Sequence, residues 1–150
     1  MAELTLDSIA VDCPDVVQLS SFYSEFLGFE NRGDFFYLPG ELIEIWFQQV
    51  ENYQPPTWPT QVRGQQLHFD FTVPDVGAAI EKAVQLGATL TERRNGYHYP
   101  ILLDPVGHPF CLISGSETNL SAVVFDCDDE RELASFYQGL IGGELDSQQG

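Results

Sequence analysis

Two short stretches set chemistry-capable side chains at every second position: Glu44-Ile45-Trp46-Phe47-Gln48 and His68-Phe69-Asp70-Phe71-Thr72. A strand turns successive side chains to opposite faces, so each stretch sorts into an apolar face and a polar one. Ile43, Ile45 and Phe47 turn to a packed interior, as do Leu67, Phe69, Phe71 and Val73. Glu44, Trp46 and Gln48 then share one polar face, and His68, Asp70 and Thr72 another. In an earlier run Ile9 and Val11 turn inward, leaving Ser8, Ala10 and Asp12 on the polar side. Carboxylates beside an indole suit a cationic or hydrogen-bonding, partly aromatic ligand. A strand histidine beside a carboxylate is also the pattern of a structural pair. Tyr37, Trp58, and Tyr97 or Tyr99 are candidates for further walls.

The elements that must position these faces follow a repeated order. Leu4 to Val11 reads as a strand, and Asp15 as the N-cap of a helix carrying Leu19, Phe22, Tyr23, Phe26 and Leu27, closed by Gly28. Three short β-like runs follow, Phe29–Asn31, Asp34–Leu38 and Leu42–Gln49, with a turn at Pro39-Gly40. Residues 50–65 hold Pro55, Pro56 and Pro59 and read as a linker. The order then recurs: a strand Leu67–Val73, a helix capped by Asp75 and closed by Gly87, and runs Ala88–Arg93, Tyr97–Leu103 and Pro109–Ser114. The turn Asp104-Pro105-Val106-Gly107 precedes the last run. The expectation is an α+β fold of two βαβββ modules, 4–49 and 66–115, each burying one sheet face against its helix and lining a shared hollow with the other.

A second repeat lies over the first. Nine of the nineteen residues from Asp12 to Glu30 recur at Asp126 to Glu144, an internal duplication. Residues 1–115 are therefore expected to form one domain, and 116–150 the βα start of an incomplete second copy. That start would carry an open strand edge and an apolar helix face of Leu133, Phe136, Tyr137 and Leu140, expected to dock on the first domain or on another chain.

Charge narrows the partners. With 23 acidic against 6 basic residues and a net charge of −17, the surface repels phosphate backbones and anionic membranes, so neither nucleic acid nor membrane is an expected partner. Arg93-Arg94 balance local acid. No run is long enough to cross a bilayer, and no secretory leader is visible. Three cysteines, Cys13, Cys111 and Cys127, suit a reducing cytoplasm. His98 and His108 lie near turns and read as solvated. A glycine-rich phosphate loop, a Gly-x-Ser-x-Gly elbow and a Cys-x-x-Cys motif are all missing.

Asp15…Leu19…Phe22-Tyr23…Phe26-Leu27-Gly28, Val73-Pro74-Asp75…Ala79…Leu86-Gly87-Ala88 and Asp104-Pro105-Val106-Gly107-His108-Pro109-Phe110 together resemble the vicinal oxygen chelate superfamily, the glyoxalase/bleomycin-resistance/dioxygenase group. The Asp-Cys-x-Asp opening looks most like its glyoxalase-like branch. The resemblance implies a cup-shaped mixed sheet that binds a small molecule, and a homodimer. It also implies four ligand positions, which fall on Ser8, Glu44, His68 and Cys111. Glu44 and His68 keep ligand types the group uses, Ser8 departs from them, and Cys111 stands in place of a carboxylate. A firm catalytic metal wants at least three protein donors.

The expected function is accordingly small-molecule binding without a complete catalytic metal site and with no resident cofactor. The ligand would sit among Ser8, Glu44, Trp46, Gln48, His68, Asp70 and Cys111. The alternative is a lyase or dioxygenase using a divalent metal at Glu44 and His68, with zinc completed by Cys111 as one form of it.

Overall fold

The first strand, β1 (Ser8–Cys13), alternates buried Ile9, Val11 and Cys13 with outward Ser8, Ala10 and Asp12. It starts later than its apolar residues suggest, because Leu4 and Leu6 are half exposed and precede it. Asp15 then opens helix α1 (Val16–Leu27), its carboxylate accepting from Gln18 N at 3.0 Å. Gly28, at φ 74°, closes the helix in the left-handed conformation that glycine adopts without strain. Strands β2 (Glu30–Asn31), β3 (Phe35–Tyr37) and β4 (Glu44–Gln49) complete a sheet ordered β1-β4-β3-β2. β1 and β4 run parallel, with Ser8 opposite Glu44, Ala10 opposite Trp46 and Asp12 opposite Gln48. This computed structural model describes residues 4–31, 35–37, 44–58, 60–92 and 98–145. The expected turn at Pro39-Gly40, the start of the Leu42 run, Arg93-Arg94 and Tyr97 lie outside the described residues, as do the side chains of Tyr37 and Glu44.

The second module repeats the plan with β5 (Leu67–Val73), α2 (Val76–Gln85), β6 (Thr89–Leu90), β7 (Ile101–Leu103) and β8 (Pro109–Ser114). β5 and β8 are parallel neighbours, with Asp70 opposite Cys111. Within the expected runs 88–93 and 97–103 the described residues form the strands Thr89–Leu90 and Ile101–Leu103, with Thr91 N also bonded to Ile101 O at 3.1 Å. Pro100 offers no N–H to a ladder, and Ala88 is tied back to the helix end through Ala83 O.

Strand β9 (Asn119–Phe125) and helix α3 (Glu130–Ile141) follow. β9 pairs antiparallel with β5 on the side away from β8, giving the order β6-β7-β8-β5-β9. α3 is capped by Asp129 but buries no side chain, and Phe136, Tyr137, Leu140 and Ile141 stay exposed. Its one aromatic tie to the sheet is the stack of Tyr137 on Phe125, 5.9 Å between centroids. No helix among the described residues is long and apolar enough to cross a membrane.

The core lies where α1 meets both sheets. Phe22, Tyr23 and Phe26 cover a wide arc of one helix, wide enough to face two sheets at once. Tyr23 stacks on Phe47 of the first sheet (5.6 Å) and meets Phe71 and Phe110 of the second at 6.0 and 6.3 Å. Phe26 meets Phe110 at 5.7 Å. Lys82 of α2 donates to Phe26 O at 3.0 Å, which fixes the two helices side by side. Phe110 has no solvent exposure and Phe136 is 60% exposed. Phe110→Ala is therefore expected to lower the unfolding free energy by about 3–5 kcal/mol, and Phe136→Ala by less than about 0.5 kcal/mol. Urea titration of the two variants checks this, and equal losses would contradict a core centred on α1.

Candidate functional site

The turn before β8 is built around a carboxylate without solvent exposure. Asp104 Oδ1 accepts from Val106 N (3.0 Å) and His108 N (2.9 Å), while Oδ2 accepts from Tyr23 OH (3.1 Å) and faces His108 Nδ1 at 2.8 Å. Gly107 takes φ 100°, and a Cβ there would meet Pro55 at 2.8 Å, so the turn fits beneath the linker only with glycine. His108 Nε2 lies 2.9 Å from Asp12 O and 2.9 Å from Tyr53 OH. Asp12 O can only accept, so Nε2 carries a proton, and Nδ1 carries another towards Asp104. Burial works against the charged ring. The Asp104 hydrogen bond and charge, with the Asp12 carbonyl and charge, outweigh it and raise the His108 pKa above 6.5. Burial, then the Asp104 charge, raises the Tyr53 and Tyr23 phenols, so both keep their protons.

A second chain of contacts starts in the residues after β9. Asp126 accepts from Gln61 Nε2 (3.3 Å) and from Gln65 Nε2 (3.2 Å). A carboxylate cannot donate, so it holds the Gln65 amide with its NH2 outward, and that NH2 also lies 3.0 Å from His68 Nδ1. His68 Nδ1 must then be an acceptor, which places the ring proton on Nε2. Nε2 sits 3.5 Å from Asp70 Oδ1. The ligand atoms of His68, Asp70 and Cys111 all fall within 4.8 Å of one another, a grouping of the kind that holds a metal. The protonation does not favour one. A metal on His68 Nε2 would move the proton to Nδ1, against the Gln65 NH2, and the second contact of a ligating histidine is normally an acceptor. Burial, then the charge of Asp70, pushes the Cys111 thiol up to about 12, so a metal bound there would have to displace its proton. The direction of the Gln65 amide speaks against a firm divalent site, and the unpartnered Asp70 Oδ1 speaks for one.

Beside His68 lies a cavity of about 370 Å³, bounded by β1, the linker and the start of β5. Its polar lining includes Asp12, Tyr53, Gln54, Gln65 and His68, with Phe47, Pro56 and Phe69 among its apolar walls. Arg63 also lines it, with Nη1 donating to Pro55 O at 2.6 Å. Gln65 Oε1 and Asp70 Oδ1 are buried acceptors with no hydrogen-bond partner among the described residues.

The structure divides the expected site set. Ser8, Trp46 and Gln48 line a second hollow of about 470 Å³ on the first sheet. His68 lines the cavity under the linker, and Asp70 and Cys111 line neither hollow. Glu44 stands opposite Ser8 in the ladder. β1 and β5 belong to different sheets and β9 takes the edge of β5, while the cavity under the linker draws Ala10, Asp12 and Phe47 from the first module and Leu67, His68 and His108 from the second. Gln48 Nε2 donates to Asp12 at 3.2 Å. Tyr99 is half exposed and Trp58 is partly buried, and neither lines a hollow. His108, expected to be solvated, is partly buried and joins Asp104, Tyr53 and Asp12. Its sequence signal is an Asp-Pro-x-Gly-His turn, in which the aspartate can accept from the residues two and four further on. Gln65 and Tyr53 gave no such signal, since a glutamine or tyrosine in a proline-rich linker fits any surface loop.

The glyoxalase-like domain model matches residues 8–113, and no curated protein matches the chain. A glyoxalase/bleomycin resistance protein/dioxygenase family enzyme from Burkholderia phytofirmans PsJN superposes with a TM-score of 0.53 at 20% identity, covering 75% of this chain and 98% of that one. A glyoxalase/bleomycin resistance protein from Albidiferax ferrireducens T118 gives 0.52 at 18%, covering 73% and 98%. A glyoxalase I mutant from Zea mays gives 0.63 at 16%. It matches 89% of this chain, a share reached only with residues beyond 115, and this chain spans about half of its length (54%). At such identities the likenesses establish the fold.

Two measurements probe the geometry. A folded histidine pKa above the unfolded value adds stability that is complete below the unfolded value and is lost as pH rises through the folded value. The stability advantage of wild type over His108→Gln is therefore expected to be complete below about pH 6 and to shrink as pH rises above it in denaturant titrations. An advantage that grows with pH would remove the charged ring from the turn. Separately, native protein at about pH 8 should take up one iodoacetamide equivalent, at exposed Cys127, and three after denaturation, read by intact mass. Native labelling of Cys111 would contradict its raised pKa.

Proposed function

The chain belongs to the glyoxalase-like domain family, and from that premise we propose that it binds a compact, hydrogen-bond-donating, cationic or partly aromatic small molecule in the cavity under the linker, without a catalytic metal. The observation that carries this reading is Gln65. Its NH2 is committed to Asp126 and His68 Nδ1, which leaves its buried Oε1 as an unpaired acceptor in the residue that lines the cavity. An unsatisfied buried acceptor costs free energy, and a ligand donor that draws the Gln65 amide to the cavity surface recovers it. Asp12 adds a carboxylate to the wall, and the net charge of −17 favours cations at long range. A volume of about 370 Å³ suits a small ligand.

Residues 1–115 form the binding unit in this reading, and 116–150 begin a second copy that supplies Asp126 to it. The cytoplasm suits three free cysteines. A homodimer fits wherever both copies can offer a sheet edge, and β1 is the end strand of its sheet. The rival reading, a lyase or dioxygenase, has one observation in its favour, the close grouping of His68, Asp70 and Cys111. The tautomer that Gln65 sets on His68 argues against a metal there, so no catalytic step is assigned.

Calorimetric titration against paired cationic amines and their neutral isosteres tests the proposal. Cations are expected to bind more tightly, with Gln65→Leu and Tyr53→Ala each weakening the ligand by about tenfold or more. Chelator treatment should leave both affinity and melting temperature unchanged. Loss of binding in Trp46→Ala with no effect of Gln65→Leu would move the ligand to the first-sheet hollow. A near-stoichiometric metal whose removal abolishes binding would overturn the metal-free reading.

A further inference from the structure

Arg63 is one of only 6 basic residues against 23 acidic ones, yet no carboxylate among the described residues forms an ion pair with it. It is nevertheless held at both ends. Thr57 N donates to Arg63 O at 2.9 Å, and Thr57 Oγ1 accepts from Arg63 N at 2.7 Å, which pins the backbone across the linker. The 2.6 Å bond from Nη1 to Pro55 O pins the guanidinium. Ordering a long side chain costs conformational entropy, and here contacts within the linker order it before any ligand arrives. With Nη1 turned to Pro55 O, the Nε and Nη2 hydrogens keep one edge of the planar fork open.

Asp12 stands on the β1 wall of the same cavity. Its Oδ1 accepts from Gln48 Nε2 at 3.2 Å, and nothing among the described residues bonds Oδ2. No contact joins Asp12 to Arg63. The cavity of about 370 Å³ therefore keeps two opposite, uncompensated charges apart on its lining. His108, the other cationic group there, already has Asp104 as its counter-ion. A bare cation would meet Arg63 as a like charge. A bare carboxylate would approach against the net charge of −17. A molecule carrying both charges avoids both costs.

On the reading that the cavity under the linker is the binding site, we infer that its ligand is a zwitterion of the free amino-acid class. The ammonium group donates to Asp12, and the carboxylate takes parallel N–H bonds from the open edge of Arg63. Phe47, Pro56 and Phe69 receive the side chain. Arg63 acts as the selecting group, since it alone distinguishes an amino acid from the corresponding amine.

Calorimetric titration of the full chain with free amino acids from glycine to phenylalanine tests this. Each is compared with its amide, which lacks the carboxylate, and with its deaminated acid, which lacks the ammonium group. At least one amino acid is expected to bind about tenfold or more tightly than both of its analogues. Arg63→Gln should bring it down to the affinity of the amide, and Asp12→Asn to that of the deaminated acid. Arg63→Lys should recover only part of the loss, because an ammonium lacks the fork. Arg63 is exposed, so the margin over the amide should narrow as salt rises. Amines that bind and are weakened by Gln65→Leu, with no amino acid exceeding its amide, would overturn the zwitterion and leave the binding site standing. A margin that survives Arg63→Gln would overturn it as well. If no amine and no amino acid binds, the zwitterion and the binding site fall together.

Discussion

A carboxylate shut away from solvent must have its lone pairs satisfied by the protein, and Asp104 meets that demand by drawing four segments together. Its Oδ1 closes its own turn through two backbone N–H groups, and its Oδ2 takes the phenol of α1 and the ring of His108. His108 passes the constraint on to β1 through Asp12 O and to the linker through Tyr53. A buried charge pair contributes only when such bonds complete it. Tyr23 then stands where its ring can stack on Phe47 and meet Phe71 and Phe110, so the aromatic core and the cavity wall are set by one group. Tyr23, Tyr53, His108 and Asp12 all border the cavity, and Asp104 reaches Tyr23 and His108 directly and the other two through His108.

The cavity's chemistry follows from a second carboxylate. Asp126 sets the amide of Gln65, Gln65 sets the tautomer of His68, and His68 turns its proton towards Asp70. A histidine, an aspartate and a cysteine within reach of one another are a metal-binding set by composition. Hydrogen-bond direction makes His68 Nδ1 an acceptor and leaves Nε2 beside Asp70. The family relationship therefore informs the fold more than the reaction. Asp126 lies in the duplicated segment, so that segment supplies both a strand beside β5 and the carboxylate that orients Gln65.

Much of this was legible in the residues. Capping aspartates at 15, 75 and 129, the closing Gly28 and the aromatic stripe of α1 are local signals, and local geometry fulfils them. The faces of β1, β4 and β5 were also readable, because period-two alternation depends only on the strand itself. β6 and β7 fall inside the runs expected for them, with Pro100 offering no N–H to the ladder and Ala88 tied to the helix end. His108 was misread because its partners lie 55 residues away at Tyr53 and 96 away at Asp12. A turn histidine with only its neighbours in view looks solvated.

The sequence by itself determined the α+β class, the βαβββ order, the helix boundaries and the side of each strand on which polar groups stand. Each of these follows from backbone stereochemistry and side-chain spacing within one element. Tertiary structure alone decided which polar faces meet. Ser8 and Trp46 line a different hollow from His68, since sheet edges pair by backbone hydrogen bonds that nearly any strand can supply, and β9 took the edge of β5. It also decided the proton on His68, since a tautomer depends on a partner's donor or acceptor direction and not on the histidine.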